Sequence, residues 1–149
     1  MIHRSLKIPA PKIPLLGLFA ALILSACLSE AGPTLSAPDA FAQTQSGALT
    51  LIDIRTPPEW RQTGVAEGAL RIDMRDKTFV EEILNAVDGD KEAPIAIICR
   101  TGNRTTYVQQ ALTKMGFTRV YNVKEGMAGS GAGPGWVKRG LPVEPCKTC

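Results

Sequence analysis

The segment 94–115 constrains the fold of this 149-residue chain more than any other stretch. It begins with Pro94 and a short apolar run at 95–98 that is rich in β-branched residues, which predicts a strand buried on both faces. A helix is predicted to end the segment, because apolar residues recur there at the spacing of one helix face: Val108, Ala111, Leu112 and Met115. Cys99 therefore lies where a buried strand ends and a tight loop leads into a helix.

This loop carries the chemistry that the sequence predicts. Its backbone N–H groups and the positive end of the following helix should converge on one point, where an anion or a thiolate is stabilised. We expect Cys99 to ionise readily to a reactive thiolate. Gly102 permits the turn, Arg100 adds positive charge, and the Arg104 fork is predicted to hold a small oxyanion. The alternative is a buried structural cysteine, which two arginines and a glycine beside the thiol make less favourable.

Three motifs in order resemble the single-domain rhodaneses, which are sulfurtransferases. The loop Cys99-Arg100-Thr101-Gly102-Asn103-Arg104 resembles their active-site loop, 51–60 their first core strand and turn, and 120–127 their last strand and turn. The resemblance covers 35–143. It implies an α/β fold of three layers, with a mostly parallel central sheet and helices on both faces. The alternation of short apolar strands with helical segments independently predicts the α/β class.

The resemblance also implies roles for the loop residues. Cys99 would carry a sulfane sulfur as a persulfide, without any cofactor or metal. The remaining loop residues would bind the substrate and the persulfide: Arg100, Thr101, Gly102, Asn103 and Arg104. The implied partners are a small sulfur-donor anion such as thiosulfate and a thiol acceptor, either a small molecule or a protein.

Residues 1–26 are predicted to form an export signal, with basic residues followed by a short apolar run at 15–24. The run ends in Leu24-Ser25-Ala26-Cys27, which resembles a bacterial lipobox. We therefore expect lipidation of Cys27, a tether over 27–34, and a chain that is held by its lipid on the periplasmic side of a bacterial membrane. Acyl chains on one residue would make that anchorage stable.

Charge and histidine content exclude several classes of protein. Arg4, Lys7 and Lys12 account for the whole net charge of +3, so the chain after the signal is neutral and no nucleic-acid partner is expected. The single histidine, His3, also lies in the signal. A mature chain without histidine cannot be a Cys-His hydrolase or hold a histidine-ligated zinc ion.

Other elements follow from local patterns. Asp53 is expected to be structural, accepting hydrogen bonds from the backbone or from Arg55. Thr78 and Glu81 predict a capping box at the start of a helix. The predicted helices and strands are a helix capped by Ser36 and stopped by Gly47, a strand at 50–54, a helical turn at 59–61, a strand at 70–73, a helix after Thr78, a strand at 119–123, and a helix resuming at Trp136. The glycine-rich segment 126–135 is interpreted as a flexible connector, with a mobile flap as the alternative.

The chain ends in a tail, 144–149, that contains Cys146 and Cys149. In an exported protein such a pair favours a disulfide or a labile redox couple, although two thiols could also bind a soft metal. Three other functions therefore remain open beside sulfur transfer. They are a redox or metal-handling lipoprotein that uses Cys146 and Cys149, a phosphatase with a related cysteine loop, and a binding module without turnover.

Overall fold

The computed structural model of the chain describes residues 32–149. The predicted signal and Cys27 lie outside the described residues. The elements in chain order are β1 (Thr34–Leu35), α1 (Ala37–Gln45), β2 (Thr50–Asp53), α2 (Pro57–Thr63), β3 (Val65–Ala66), β4 (Leu70–Arg71), α3 (Phe79–Ala86), β5 (Ile95–Ile98), α4 (Asn103–Lys114), β6 (Val120–Val123) and β7 (Val143–Glu144). Within the described part of the chain, no helix combines the length and the apolar character needed to cross a bilayer.

Five strands form one parallel sheet, in the order β1-β6-β5-β2-β4. β5 lies at its centre, with Ile97 in register with Ile52 of β2 and with Asn122 of β6. The predicted α/β class with a mostly parallel sheet is confirmed. Because β5 is central, the residue that follows it emerges in the middle of the carboxyl edge, where parallel sheets place their ligand sites.

Both faces of the sheet are covered, as expected. Ile95 and Ile97 pack with α3 and α4, whereas Ala96 and Ile98 pack with α1 and with Trp136. This division follows from the alternation of side chains along a strand, which sends neighbours to opposite faces. All four residues of β5 are buried, which explains their continuous apolar sequence.

The starts of α1 and α2 test the predictions made from capping residues and prolines in the local sequence. Ser36 caps α1 as predicted, since its side chain accepts the Asp39 N–H and a proline occupies the first turn. α2 is longer than the predicted turn at 59–61. It begins at Pro57, because prolines at the first helical positions need no N–H partner and have suitable φ angles.

Two predicted helix features are wrong. The Thr78 hydroxyl bonds Asp76 and Glu82 and makes no capping bond, so the box with Glu81 does not form. The segment after Trp136 forms consecutive turns instead of a helix. Its backbone is drawn into tertiary hydrogen bonds, with Trp136 N donating to the Gly126 carbonyl oxygen and Nε1 donating to that of Pro142.

The buried face of α4 differs from the predicted one. Val108 and Leu112 are buried, but Ala111 and Met115 are exposed. The full buried set has the same helical spacing displaced along the helix: Thr105, Val108, Gln109 and Leu112. Its polar members can be buried because their side chains are hydrogen-bonded; Gln109 Nε2, for example, donates to the Val120 carbonyl oxygen at 2.7 Å.

The two ends of the described chain are integrated into the fold. Thr34, assigned to the tether by its sequence, pairs with Asn122 as part of β1. The tail does not stand apart from the domain either, because Glu144 of β7 pairs antiparallel with Val65 of β3. Cys146 then packs against Trp60 and Val65.

Candidate active site

Cys99 occupies the predicted position, directly after the central strand. Its side chain is 1% exposed and is the free cysteine of the described residues, 32–149. The Gly102 N–H donates to the Cys99 sulfur at 3.2 Å, and Thr105 Oγ1 lies 3.7 Å from it. The sulfur therefore lies inside the turn that leads into α4, at the end of the helix where N–H groups are unsatisfied.

The turn that follows β6 donates backbone hydrogen bonds to the Cys99 loop. Met127 N donates to the Cys99 carbonyl oxygen and Ala128 N donates to that of Arg100, each at 2.9 Å. Gly102 has φ +85°, and a Cβ there would overlap the Lys124 carbonyl oxygen. A Cβ at Gly126 would lie 2.5 Å from the Arg100 carbonyl oxygen. The two glycines thus permit a close approach that fixes the shape of the loop.

Segment 126–135 is built into this arrangement by hydrogen bonds. The Glu125 carboxylate accepts bonds from Ala37 N and Gly135 N and an ion pair from Arg139. Ser130 and Gly133 pair across a short turn. The segment, interpreted from the sequence as a flexible connector, is consequently hydrogen-bonded at both ends.

A buried polar network lies beneath the sulfur. Thr105 Oγ1 is 2.8 Å from the Gly102 carbonyl oxygen and 2.7 Å from Asn122 Oδ1, and its single proton can be donated to only one acceptor at a time. Asn122 Nδ2 in turn donates to Thr106 Oγ1. The hydroxyl beside Cys99 can therefore accept a hydrogen bond from the thiol while its own proton is donated to one of these oxygens.

Arg104 is engaged differently from the prediction. Its Nη1 and Nη2 donate to the two carboxylate oxygens of Glu59 at 2.8 and 2.5 Å, so its fork does not present itself to an oxyanion. The pKa of Arg104 is raised mainly by these bonds and, less strongly, by the nearby Cys99 sulfur. Arg104 therefore supplies positive charge beside the thiol while its orientation is set by α2.

Glu59 was not identified as a site residue from the sequence. The pattern Thr56-x-x-Glu59 could have placed it at the third position of a helix, and its Oε2 does accept the Thr56 N–H. No local signal points to its contact with Arg104. The hydrogen bonds from Arg104, helped by those from Thr56 and opposed by partial burial, lower the pKa of Glu59 from 4.5 to about 2.

This shift predicts a pH-dependent contribution to stability. A carboxyl with a lowered folded-state pKa stabilises the protein above its unfolded-state value and loses that effect as pH falls toward the folded-state value. We expect the stability difference between wild type and Glu59→Gln to be full near neutrality and to shrink as pH falls from 4.5 toward about 2. Urea unfolding across this range measures it, with Glu92→Gln, an exposed carboxyl, as the control. A difference that does not change with pH would contradict the prediction.

An open cleft of about 280 Å³ borders the loop. Its lining includes apolar Met127, Ala128 and Val137, the cations Arg100 and Lys138, and the ion-paired Arg55 and Glu59. The side chains of Arg100 and Lys138 make no hydrogen bond or ion pair with any other residue in the range 32–149, so both can meet an anion. Lys138 was not identified from the sequence, since only the packing of the Trp136 turns brings it here.

The other predicted site residues are spread over different surroundings. Thr101 is half-buried, and Asn103 is exposed at the first turn of α4. Cys146 and Cys149 border other surfaces, beside β3 and β4, and do not line the cleft next to Arg100. Residues 32–149 contain no cluster of three or more His, Cys, Asp or Glu side chains that could hold a metal ion.

A family model described as "Rhodanese-like domain" matches residues 36–131 of this chain. The chain belongs to the rhodanese-like domain family. The matched span contains β2, the Cys99 loop and β6, so the rhodanese motifs on which the resemblance rested all fall within it.

Proteins with several different names are similar to the chain. It is 29% identical over 98 residues to "Uncharacterized protein RP600 homolog" of Rickettsia rickettsii, covering 62% of this chain and 80% of that protein. It is 28% identical over 117 residues to "Thiosulfate sulfurtransferase GlpE" of Actinobacillus pleuropneumoniae serotype 3, covering 78% and 97%. A solution structure of a polysulfide-sulfur transferase homodimer from Wolinella succinogenes matches with a TM-score of 0.58 and 27% identity, covering 75% and 77%. Relatives of this rhodanese domain thus include proteins named as sulfurtransferases.

Proposed function

We propose that the chain is a sulfurtransferase that carries a sulfane sulfur on Cys99 as a persulfide. The observation that supports this most is the Cys99 sulfur itself, set inside a turn with the Gly102 N–H at 3.2 Å and the N-terminus of α4 next to it. A persulfide is an anion at neutral pH, and this surrounding of N–H groups would stabilise it without any reorganisation.

The reaction has two nucleophilic steps. The Cys99 thiolate attacks the outer sulfur of thiosulfate, the S–S bond of thiosulfate breaks, and sulfite leaves with the electron pair. An acceptor thiolate, or cyanide in the test tube, then attacks the terminal sulfur of the persulfide. That bond breaks in its turn, the acceptor leaves with the sulfur, and the Cys99 thiolate is restored.

Different cations are assigned to binding the donor and to stabilising the charged sulfur. The side chains of Arg100 and Lys138 border the cleft and have no partner among residues 32–149, so we assign the thiosulfate anion to them. Arg104 lies close to the sulfur but is paired with Glu59, so we assign it the electrostatic stabilisation of the thiolate and the persulfide. Thiosulfate as the donor is supported by the name of the Actinobacillus relative, and a polysulfide by that of the Wolinella protein.

The test is the intact mass of the full-length chain before and after thiosulfate, followed by cyanide. We expect a gain of one sulfur atom that cyanide removes, and peptide mapping should locate it on the peptide with Cys99. Sulfur found on the C-terminal peptide would assign the chemistry to Cys146 and Cys149. A reduced, folded chain that gains nothing would identify a binding module without turnover.

A further inference from the structure

The C-terminal tail forms a second cysteine site away from the Cys99 loop. Cys146 and Cys149 are joined by a disulfide, with their Cα atoms 5.7 Å apart. Pairing of β7 with β3 holds the tail against the domain, and Cys146 is buried beside Trp60 and Val65. Cys149 is only half-buried, so one sulfur of the bond faces the protein and the other is more open to solvent.

Arg71 contacts both sulfur atoms. Its Nη1 lies 2.7 Å from Cys146 Sγ and 3.2 Å from Cys149 Sγ. These sulfur atoms are the hydrogen-bond partners of its side chain among residues 32–149, where Arg71 forms no ion pair with a carboxylate. A neutral disulfide is a weak acceptor for a guanidinium, whereas a thiolate is a strong one. The cation is therefore placed for the charge that appears when the disulfide is reduced.

A second group in the same cluster lacks a partner in the disulfide form. Trp60 Nε1 is buried, and no hydrogen-bond acceptor for it is present among the described residues. Trp60 packs with Cys146 in one buried cluster. A buried donor without a partner is uncommon and costs stability, so this region has more donors than its oxidised state can satisfy.

The disulfide is also accessible. An open cleft of about 490 Å³ is bordered by Cys146, Arg71 and Glu144, with the exposed Leu70 at its side. Cys149 does not line this cleft but is itself half-buried, so a reductant can approach the bond at Cys149 from solvent without unfolding β7. A buried structural disulfide would lack this access, and it would not contact a cation that has no carboxylate partner.

We propose that Cys146 and Cys149 form a redox-active disulfide that accepts two electrons from an external dithiol, with Arg71 as the residue that stabilises the reduced form. One thiolate of the dithiol attacks Cys149 Sγ, the more open sulfur. The Cys146–Cys149 bond breaks, and Cys146 leaves as a thiolate against Arg71.

The second thiolate of the dithiol then resolves the mixed disulfide. It attacks the dithiol sulfur that is bonded to Cys149, and Cys149 leaves with the electron pair. The dithiol departs as a disulfide, having lost two electrons and two protons. One proton is taken up by Cys149 and the other by solvent, since Cys146 remains a thiolate. This chemistry does not require Cys99 and is separate from the proposed sulfur transfer.

Arg71 should tune the equilibrium, because a cation beside a thiolate stabilises the reduced state and makes the disulfide more oxidising. We expect Arg71→Gln to need about a tenfold higher ratio of reduced to oxidised dithiothreitol for half-reduction. Arg71→Lys keeps the charge and should recover most of this shift.

The experiment equilibrates the full-length chain with mixtures of reduced and oxidised dithiothreitol, quenches with acid, alkylates free thiols and measures the C-terminal peptide by mass. Arg61→Gln is the matched control, since Arg61 Nη1 donates to the Cys149 carbonyl oxygen and not to a sulfur. It should shift the midpoint by less than about twofold, whereas Arg71→Gln gives the tenfold change. Circular dichroism of the same samples reports whether the fold persists after reduction.

Two results would overturn the proposal. Reduction that occurs only with loss of the native circular dichroism signal would make the disulfide a structural staple. Equal shifts in Arg71→Gln and Arg61→Gln would assign the effect to docking of the tail and not to the contact with sulfur.

Discussion

Replacing Cys99 with serine is expected to lower thiosulfate-dependent sulfuration of cyanide by at least about a thousandfold, because the residue that accepts the sulfur is lost. A serine hydroxyl is a weak nucleophile toward sulfur and cannot form a persulfide. The substitution should leave the fold intact. The smaller hydroxyl fits the same site and can bond with the Gly102 N–H and the Thr105 hydroxyl, which already lie beside the sulfur.

The measurement compares steady-state turnover with the urea midpoint of the same samples. Cys146→Ser is the matched control, since it also replaces a buried cysteine in a described cluster but lies outside the Cys99 loop. We expect that variant to keep its turnover. If Cys99→Ser retained activity while Cys146→Ser lost it, the proposed function would be wrong and the tail would carry the reaction.

Replacing Asp53 with alanine is expected to destabilise the fold by about 3–5 kcal/mol, because it leaves a buried guanidinium without its counter-ion. Asp53 is 0% exposed and Arg55 1%. The Asp53 carboxylate accepts bonds from the backbone N, Nε and Nη2 of Arg55, with the shortest at 2.7 Å. The structure therefore confirms the structural role that the sequence predicted for Asp53.

The chain provides a close control for this change. Asp73 and Arg75 have the same spacing and the same set of bonds, from the backbone N, Nε and Nη2 of the arginine to the carboxylate. That pair lies at the surface, with the Arg75 side chain 64% exposed. Asp73→Ala should therefore change stability little, because water replaces the lost partner.

Urea unfolding followed by circular dichroism measures both variants. Since domains of this size are stable by only about 5–15 kcal/mol, the Asp53 variant should be visibly less resistant to urea. Equal losses in the two variants would show that local Asp-x-Arg geometry, and not burial, carries the stabilisation.

The elements that the sequence predicted best are those whose signals lie within a few residues. The buried strand β5 was predicted from a continuous apolar run, and the position of Cys99 followed from the strand before it and the helix after it. The α1 cap at Ser36 also depends only on neighbouring groups. Such features are decided by backbone sterics and by side chains adjacent along the chain.

The wrong predictions fail for a common reason. Trp136 was expected to begin a helix, but its backbone N–H and its indole N–H are taken by Gly126 and Pro142. On α4, Ala111 is predicted on the buried face but is exposed, whereas Gln109 is buried because Val120 and Pro33 offer carbonyl acceptors. In both cases, hydrogen bonds with groups from distant parts of the chain outweighed the structure that the local sequence favours.

By itself, the sequence determined the α/β class, the strand–loop–helix unit that presents Cys99, and the hydrogen bonding of Asp53 to Arg55, because these depend on periodicity and on groups close along the chain. Only the tertiary structure decided that Arg104 pairs with Glu59, 45 residues away, and that Arg71 contacts Cys146, 75 residues away. Contacts across such separations depend on how the elements pack, and no local pattern of residues encodes their distances. The electrostatic surroundings of the two cysteine sites are therefore properties of the folded chain.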